Sequence, residues 1–196
     1  MNVKKLLSNN FKEITDDAVK IIRNGGIIIV PFDTVYGLIC DPKNDIAVRK
    51  IFELKKRPLD KTIGLCTTSI PALETFAEIN HEDFIKSHIF GPYTFVLNVK
   101  TDDFSKLCVR DGTVAVRIPN SELILNIAKH SNLVIAQTSA NLSGRPTCDS
   151  VEEIKAQFKP EELEQVDLII DWGEIEKSAP SKIFDLTGTQ PVEINR

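Results

Sequence analysis

Residues 25–40 read GGIIIVPFDTVYGLIC, and this stretch decides the fold class. Ile27 to Val30 form an unbroken β-branched run closed by Pro31, the pattern of a strand buried on both faces. Upstream, TDDAVKIIRN (15–24) opens on a Thr cap with early acids, carries apolar residues at helical spacing, and stops at Gly25-Gly26. Downstream of a turn at Phe32-Asp33, TVYGLIC reads as a second extended segment. DIAVRKIFEL (45–54) then puts Ala47, Val48, Ile51 and Phe52 on one helical face. Pro58 sets the end of that helix near Lys56-Arg57, because the residue before a proline disfavours helical geometry.

The alternation continues to the far end. TIGLCT (62–67), YTFVLNV (93–99), TVAVRIP (113–119), LVIAQTS (133–139), VDLIID (166–171) and SKIFDL (181–186) read as strands. Residues 69–78, 81–89, 121–130 and the segment EEIKAQF read as helices. No repeat, low-complexity segment or Ser/Gly linker interrupts them. The expectation is one α/β domain over 1–196, a twisted mixed parallel and antiparallel sheet with flanking helices, with 1–11 a loose N-terminal extension and no additional C-terminal domain.

Composition narrows the function. The 196 residues are 42% hydrophobic and 27% charged, with a formal net charge of −4, which argues against a protein that coats nucleic acid. No apolar run approaches the roughly 20 residues of a membrane helix, and MNVKKLLSNNFKEI lacks the core of a signal peptide, so a cytoplasmic protein is expected. Cys40, Cys66, Cys108 and Cys148 include no CxxC pair, and His81, His88 and His130 are scattered; reduced thiols and no protein-held metal are expected. Charge is uneven: Arg49 to Lys61 carries six bases against two acids, and Asp149 to Glu176 carries ten acids against two bases.

Two segments carry residues suited to chemistry. In Lys55-Lys56-Arg57-Pro58 the chain leaves a helix; if it becomes extended there, Lys55 and Arg57 project to one side and Lys56 to the other. Such a pair can grip one anion, the arginine through its planar fork. The plainer reading is a helix C-terminus dressed with cations. Thr138-Ser139-Ala140-Asn141-Leu142-Ser143-Gly144 follows a strand, where ligand contacts gather in α/β sheets, although the same residues also make self-capping turns. GxSxG, GxxxxGK[ST] and GxGxxG are all absent, so neither a serine hydrolase nor a standard phosphate loop is indicated.

Taken in order, GGIIIVPFDTVYGL, IFELKKRP, GPYTFVL, TVAVRIP, TSANLSG and APSKIFDLTG resemble the YrdC family, from about residue 12 to the C-terminus. The resemblance implies a concave, positively charged cavity and a reaction in which L-threonine, bicarbonate (or CO2) and ATP give threonylcarbamoyl-AMP and pyrophosphate. It implies ATP as substrate with Mg2+, a contact with tRNA, a downstream threonylcarbamoyl-transferase complex, and the first step of threonylcarbamoyladenosine formation on tRNA. It places Lys55 and Arg57 in the catalytic role, and Lys55, Arg57, Lys61, Thr113, Ser139, Asn141, Thr147 and Arg196 around the nucleotide. Thr34, Cys66, Arg117, Gln137 and Ser181 fall around threonine. The chain departs from the family pattern in places: PFDTVYG replaces the commoner PTETVYG, Lys61 and Thr62 replace Asn and Pro, and Cys66 stands where His is frequent. Two rivals share the fold: a non-catalytic RNA-binding module, and a carbamoyl-adenylate-forming domain of the kind fused in hydrogenase-maturation proteins.

Overall fold

The run that opens at Ile27 lies at the centre of the sheet. In the computed structural model, which describes residues 2–89, 91–176 and 181–194, strand β2 (Ile28–Pro31) is buried along its whole length. In chain order the elements are β1 (Val3–Lys5), α1 (Phe11–Arg23), β2, β3 (Tyr36–Cys40), α2 (Asp45–Lys55), β4 (Gly64–Cys66), α3 (Ile70–Glu74), α4 (Glu82–His88) and β5 (Tyr93–Asn98). There follow β6 (Thr113–Arg117), α5 (Glu122–Ser131), β7 (Ile135–Ser139), α6 (Val151–Gln157), α7 (Pro160–Leu163), β8 (Leu168–Asp171), β9 (Lys182–Asp185) and β10 (Val192–Ile194). The described strands form one ten-stranded mixed sheet in the order β1-β8-β2-β3-β7-β4-β6-β5-β9-β10.

Because side chains alternate across a strand, the β-branched run feeds two cores. Ile27 and Ile29 join Leu38, Leu65, Val116 and Phe95 on one face, under Val48, Ile51 and Phe52 of α2 and Val151 and Ile154 of α6. Ile28 and Val30 join Ile39, Cys66 and Ile135 on the other, under Ile14, Ala18 and Ile22 of α1 and Ile124 and Ile127 of α5. Each such side chain, fully buried, contributes roughly 1.5–3 kcal/mol. The β2–β3 connection is tight: Phe32 N donates to Val35 O at 3.1 Å. Phe32 folds back so closely over β3 that a Cβ on Gly37 would meet its ring at 2.6 Å, which is why glycine stands there.

Three expectations are corrected. Within the stretch expected to be a loose extension, β1 pairs in parallel with β8 and Leu6 is buried. Helix α1 begins four residues before Thr15, with the Asn10 carbonyl accepting from Ile14 N; the Thr15 hydroxyl donates to Phe11 O inside the helix instead of capping it. After α2 the chain does not become extended. Lys56 adopts a left-handed conformation (φ 50°) and Arg57 N donates back to Phe52 O at 2.9 Å, a turn that closes the helix.

Candidate active site

Strand register gathers five of the thirteen expected residues, Cys66, Thr113, Arg117, Gln137 and Ser139, on one sheet face. Gly37 pairs with Ser139, Gly64 with Gln137, and Cys66 with Arg117, and paired residues on neighbouring strands point the same way. Thr113 lies four residues before Arg117 on β6, so it shares that face. This is the face that α1 and α5 cover over Ile28, Ile39 and Ile135. Farther along it, Val96, Thr113, Ala115, Gln137 and Ser139 are only partly buried. The face thus has a covered half and an accessible half.

At one end of the face sits a knot around Lys55. The left-handed turn at Lys56 lets α2 end with Lys55 buried, and its Nζ donates to the Ser139 carbonyl, to the Asn141 carbonyl at 2.6 Å and to Asn141 Oδ1 at 3.3 Å. Ser139 Oγ donates to Asn141 Oδ1, and Asn141 Nδ2 donates to Leu142 O at 3.0 Å and Arg145 O at 2.6 Å. In its charged form the ammonium directs its three protons to the loop after β7 and places positive charge beneath it. Burial, helped by the adjacent Arg57 charge, pushes Lys55 down to about 7, against a smaller upward pull from Cys148. Arg57 is half-buried, its Nη2 donating to Thr62 O at 2.6 Å and its Nε enclosed with no partner. Burial also lowers its pKa. Lys56 points away, to Glu162 at 3.0 Å. Lys55 and Arg57 thus bond to backbone carbonyls while Lys56 pairs with a carboxylate of α7, in a reversed turn and not an extended strand.

The second constellation surrounds Arg117. Its side chain is buried, and Nη2 donates to both oxygens of Asp33 at 2.8 Å, while Nε is enclosed without a partner. Burial pushes the Cys66 thiol up to about 12, Arg117 pulling it down and Asp33 pushing it up. Cys66 belongs to the core beneath α1 and α5 and is fully enclosed, so it presents no polar surface. Thr34 is buried beside Asp33. The Gln137 amide lies across Gly64, where a Cβ would come within 2.9 Å of its nitrogen. Continuing the β5–β6 register puts Thr94 opposite Arg117, and Thr94 Oγ1 lies 3.1 Å from Ser181 Oγ. Cys66, Arg117 and Thr94, with Ser181 beyond, thus form a row across strands spaced about 4.8 Å apart.

The other expected positions are more dispersed. The Thr113 hydroxyl donates to Arg110 O at 2.8 Å. Lys61 and Thr147 are exposed on loops, and Arg196 lies outside the described residues. Sequence reasoning missed Asp33 and Thr94. Asp33 was legible only as a carboxylate in a turn, and its partner lies 84 residues away. Among the described residues no group of three or more His, Cys, Asp or Glu is placed to hold a metal ion.

Fold and side-chain arrangement together define a class: an open mixed-sheet α/β domain with a buried lysine and a half-buried arginine at the end of α2, and a separate buried arginine on one sheet face. The family model for Sua5, YciO and YrdC proteins, described as telomere recombination, matches residues 20–196, and the chain belongs to that family. A threonylcarbamoyl-AMP synthase of Klebsiella pneumoniae is 32% identical over 158 residues, 78% of this chain and 83% of that one. A putative threonylcarbamoyl-AMP synthase of Methanocaldococcus jannaschii is 29% identical over 196 residues, 99% of this chain and 90% of that one. Pyrococcus abyssi Sua5 complexed with L-threonine superposes with a TM-score of 0.84 at 32% identity, covering 98% of this chain and 56% of that one. Escherichia coli YciO superposes at 0.80 with 26% identity, covering 98% and 92%.

Proposed function

We propose that the chain is an L-threonylcarbamoyladenylate synthase, a nucleotidyltransferase that makes threonylcarbamoyl-AMP and pyrophosphate from L-threonine, bicarbonate (or CO2) and ATP. The observation that carries this reading is the pairing of two cations at the end of α2, buried Lys55 bonded to the loop after β7 and half-buried Arg57, with a buried arginine on β6 that could take an amino-acid carboxylate. The threonine-bound structure of a relative at 32% identity supports the same substrate.

In this reading the threonine amine adds to CO2 and loses a proton, giving a carbamate. A carbamate oxygen attacks the α-phosphorus, and the bond to the β-phosphate oxygen breaks to release pyrophosphate. Two anions must meet, so fixed positive charge at the reacting centre is the main requirement. Arg57 supplies a planar fork to the phosphates. Lys55 adds charge from below and holds the Ser139–Asn141 loop, with Thr113, Thr147, Lys61 and Arg196 as further nucleotide contacts. Arg117 neutralises the threonine carboxylate, and Thr34, Gln137 and Ser181 line its side of the site. Positioning and exclusion of water account for the acceleration without a dedicated base. Mg2+ carried by the nucleotide would supply further neutralisation of phosphate charge.

The product feeds threonylcarbamoyladenosine formation on tRNA through a transferase complex, in the cytoplasm; no described helix is long and apolar enough to cross a membrane. The test is pyrophosphate release with ATP and bicarbonate across a panel of amino acids. Threonine should be best, serine weaker by the loss of a methyl worth about 0.8 kcal/mol, and valine weakest, because it leaves a hydroxyl partner unpaired at about 1–3 kcal/mol. Equal turnover of valine would refute hydroxyl recognition. Salt-dependent RNA affinity without threonine-dependent pyrophosphate release would replace the reading by an RNA-binding module.

A further inference from the structure

We propose that Asp33 is a positioning residue for the amino-acid half of the site, acting through Arg117; the proposal rests on the threonine reading above. The Asp33 carboxylate is held from two directions. Both of its oxygens accept from Arg117 Nη2 at 2.8 Å, and Oδ2 also accepts from the backbone N–H of Asn120 at 3.1 Å. Asp33 lies in the β2–β3 turn next to Thr34, whereas Arg117 ends β6 and Asn120 precedes α5. One carboxylate therefore ties the turn carrying one threonine contact to the strand carrying another.

The geometry also limits how Arg117 can meet a ligand. Nη2 is taken by Asp33 and Nε is enclosed without a partner, while Nη1 has no partner among the described residues. A substrate carboxylate is met end-on at Nη1, and Asp33 sets the direction in which that nitrogen points. The pair is nearly closed to water, with side-chain exposures of 6% for Arg117 and 15% for Asp33. A neutral residue at 33 leaves the guanidinium buried without its counter-charge and free to change rotamer.

The experiment measures KM for threonine and for ATP, and kcat, by pyrophosphate release in Asp33→Asn, Asp33→Glu, Arg117→Lys and the double variant Asp33→Asn/Arg117→Lys. Asp33→Asn should raise the threonine KM at least about tenfold with the ATP KM within about twofold. Asp33→Glu should return the threonine KM to within about threefold of the unsubstituted protein. The double variant should be no worse than the poorer single one, because both changes act through one group. Should Asp33→Asn fail to fold, Asp33→Ser, which keeps an acceptor for the Asn120 N–H, takes its place. An unchanged threonine KM in the neutral variant, a parallel rise in both KM values, or additive losses in the double variant would overturn the proposal. Absence of threonine-dependent release from the unsubstituted protein would instead overturn the reaction assignment, and calorimetric titration with L-threonine alone then decides the positioning role by the same comparison of affinities.

Discussion

Arg57 and Lys56 are neighbours in sequence with opposite surroundings, and that contrast is testable. Arg57 is half-buried, with Nη2 on Thr62 O and Nε enclosed, while Lys56 is 63% exposed and paired with Glu162. A charged hydrogen-bond pair to phosphate is worth about 1.5–3 kcal/mol, so Arg57→Ala should lower synthesis at least about tenfold. Lys56→Ala should change it less than about twofold, as expected of an exposed ion pair. Equal losses in the two folded variants, measured by pyrophosphate release, would point to a diffuse basic patch instead. Lys55 gives a pH-dependent signature. Its pKa falls to about 7 from the ordinary 10.5, so its burial penalises the native state fully below about pH 7, and the penalty fades as pH rises towards 10.5. A bound polyphosphate raises the pKa again, so ATP binding above the group's own pKa should take up a proton. Calorimetry in buffers of different ionisation heat should show more uptake per ATP at pH 8 than at pH 6, and none in Lys55→Met. Absence of uptake at pH 8 in the unsubstituted protein would remove Lys55 from the phosphate site.

Among the elements, β1 is one that the sequence concealed. VKK has no alternation strong enough to mark a strand, and three residues beside a run of polar ones read as a tail. Its strand character comes from β8, which accepts it in parallel register, and from Leu6, which enters the α1–α5 core. Deleting residues 1–6 should cost roughly 2 kcal/mol, mostly Leu6 burial, and lower the melting temperature by about 4–8 °C, while threonine-dependent release persists at low temperature. An unchanged melting temperature by calorimetry would mean that β1 contributes no stability. The same logic explains what could be read elsewhere. The Ile27–Val30 run, the α2 apolar face and the helix stop at Gly25-Gly26 were legible because burial and local chemistry agree there. β10 is exposed along its whole length and α7 is a single turn, so neither carries a burial pattern. At the site, the KKRP and TSANLSG segments could be picked out by composition. The left-handed turn at Lys56 could not, because nothing local favours a lysine in that conformation. Nor could the Asp33–Arg117 pair, which exists only once β6 lies beneath the β2–β3 turn.

At the scale of the whole molecule, the net charge of −4 is a poor guide to the site: Lys55 and Arg117 are buried, while ten of the 28 acids fall between Asp149 and Glu176. The two cores are unequal in reach: helices roof one face broadly, while on the other α1 and α5 leave the β5–β6 side accessible, and the candidate site occupies that accessible part. Its residues come from the β2–β3 turn, the end of α2, β6 and the loop after β7, so the site forms only when the central strands are in place. The strand order carries a further consequence for how the chain is made on a ribosome. β1 leaves the exit tunnel long before β8, its strand partner among the described residues, which begins at Leu168. At about 5–20 residues per second the nascent β1 waits roughly 8 to 33 s with its hydrogen-bonding edge unfilled. Lys4 and Lys5 supply the charge that keeps such an edge from recruiting other chains, and Lys4 reaches Asp17 and Glu13 of α1. α1 is synthesised directly after β1, so the waiting segment has an electrostatic harbour on its own neighbour long before its strand partner exists.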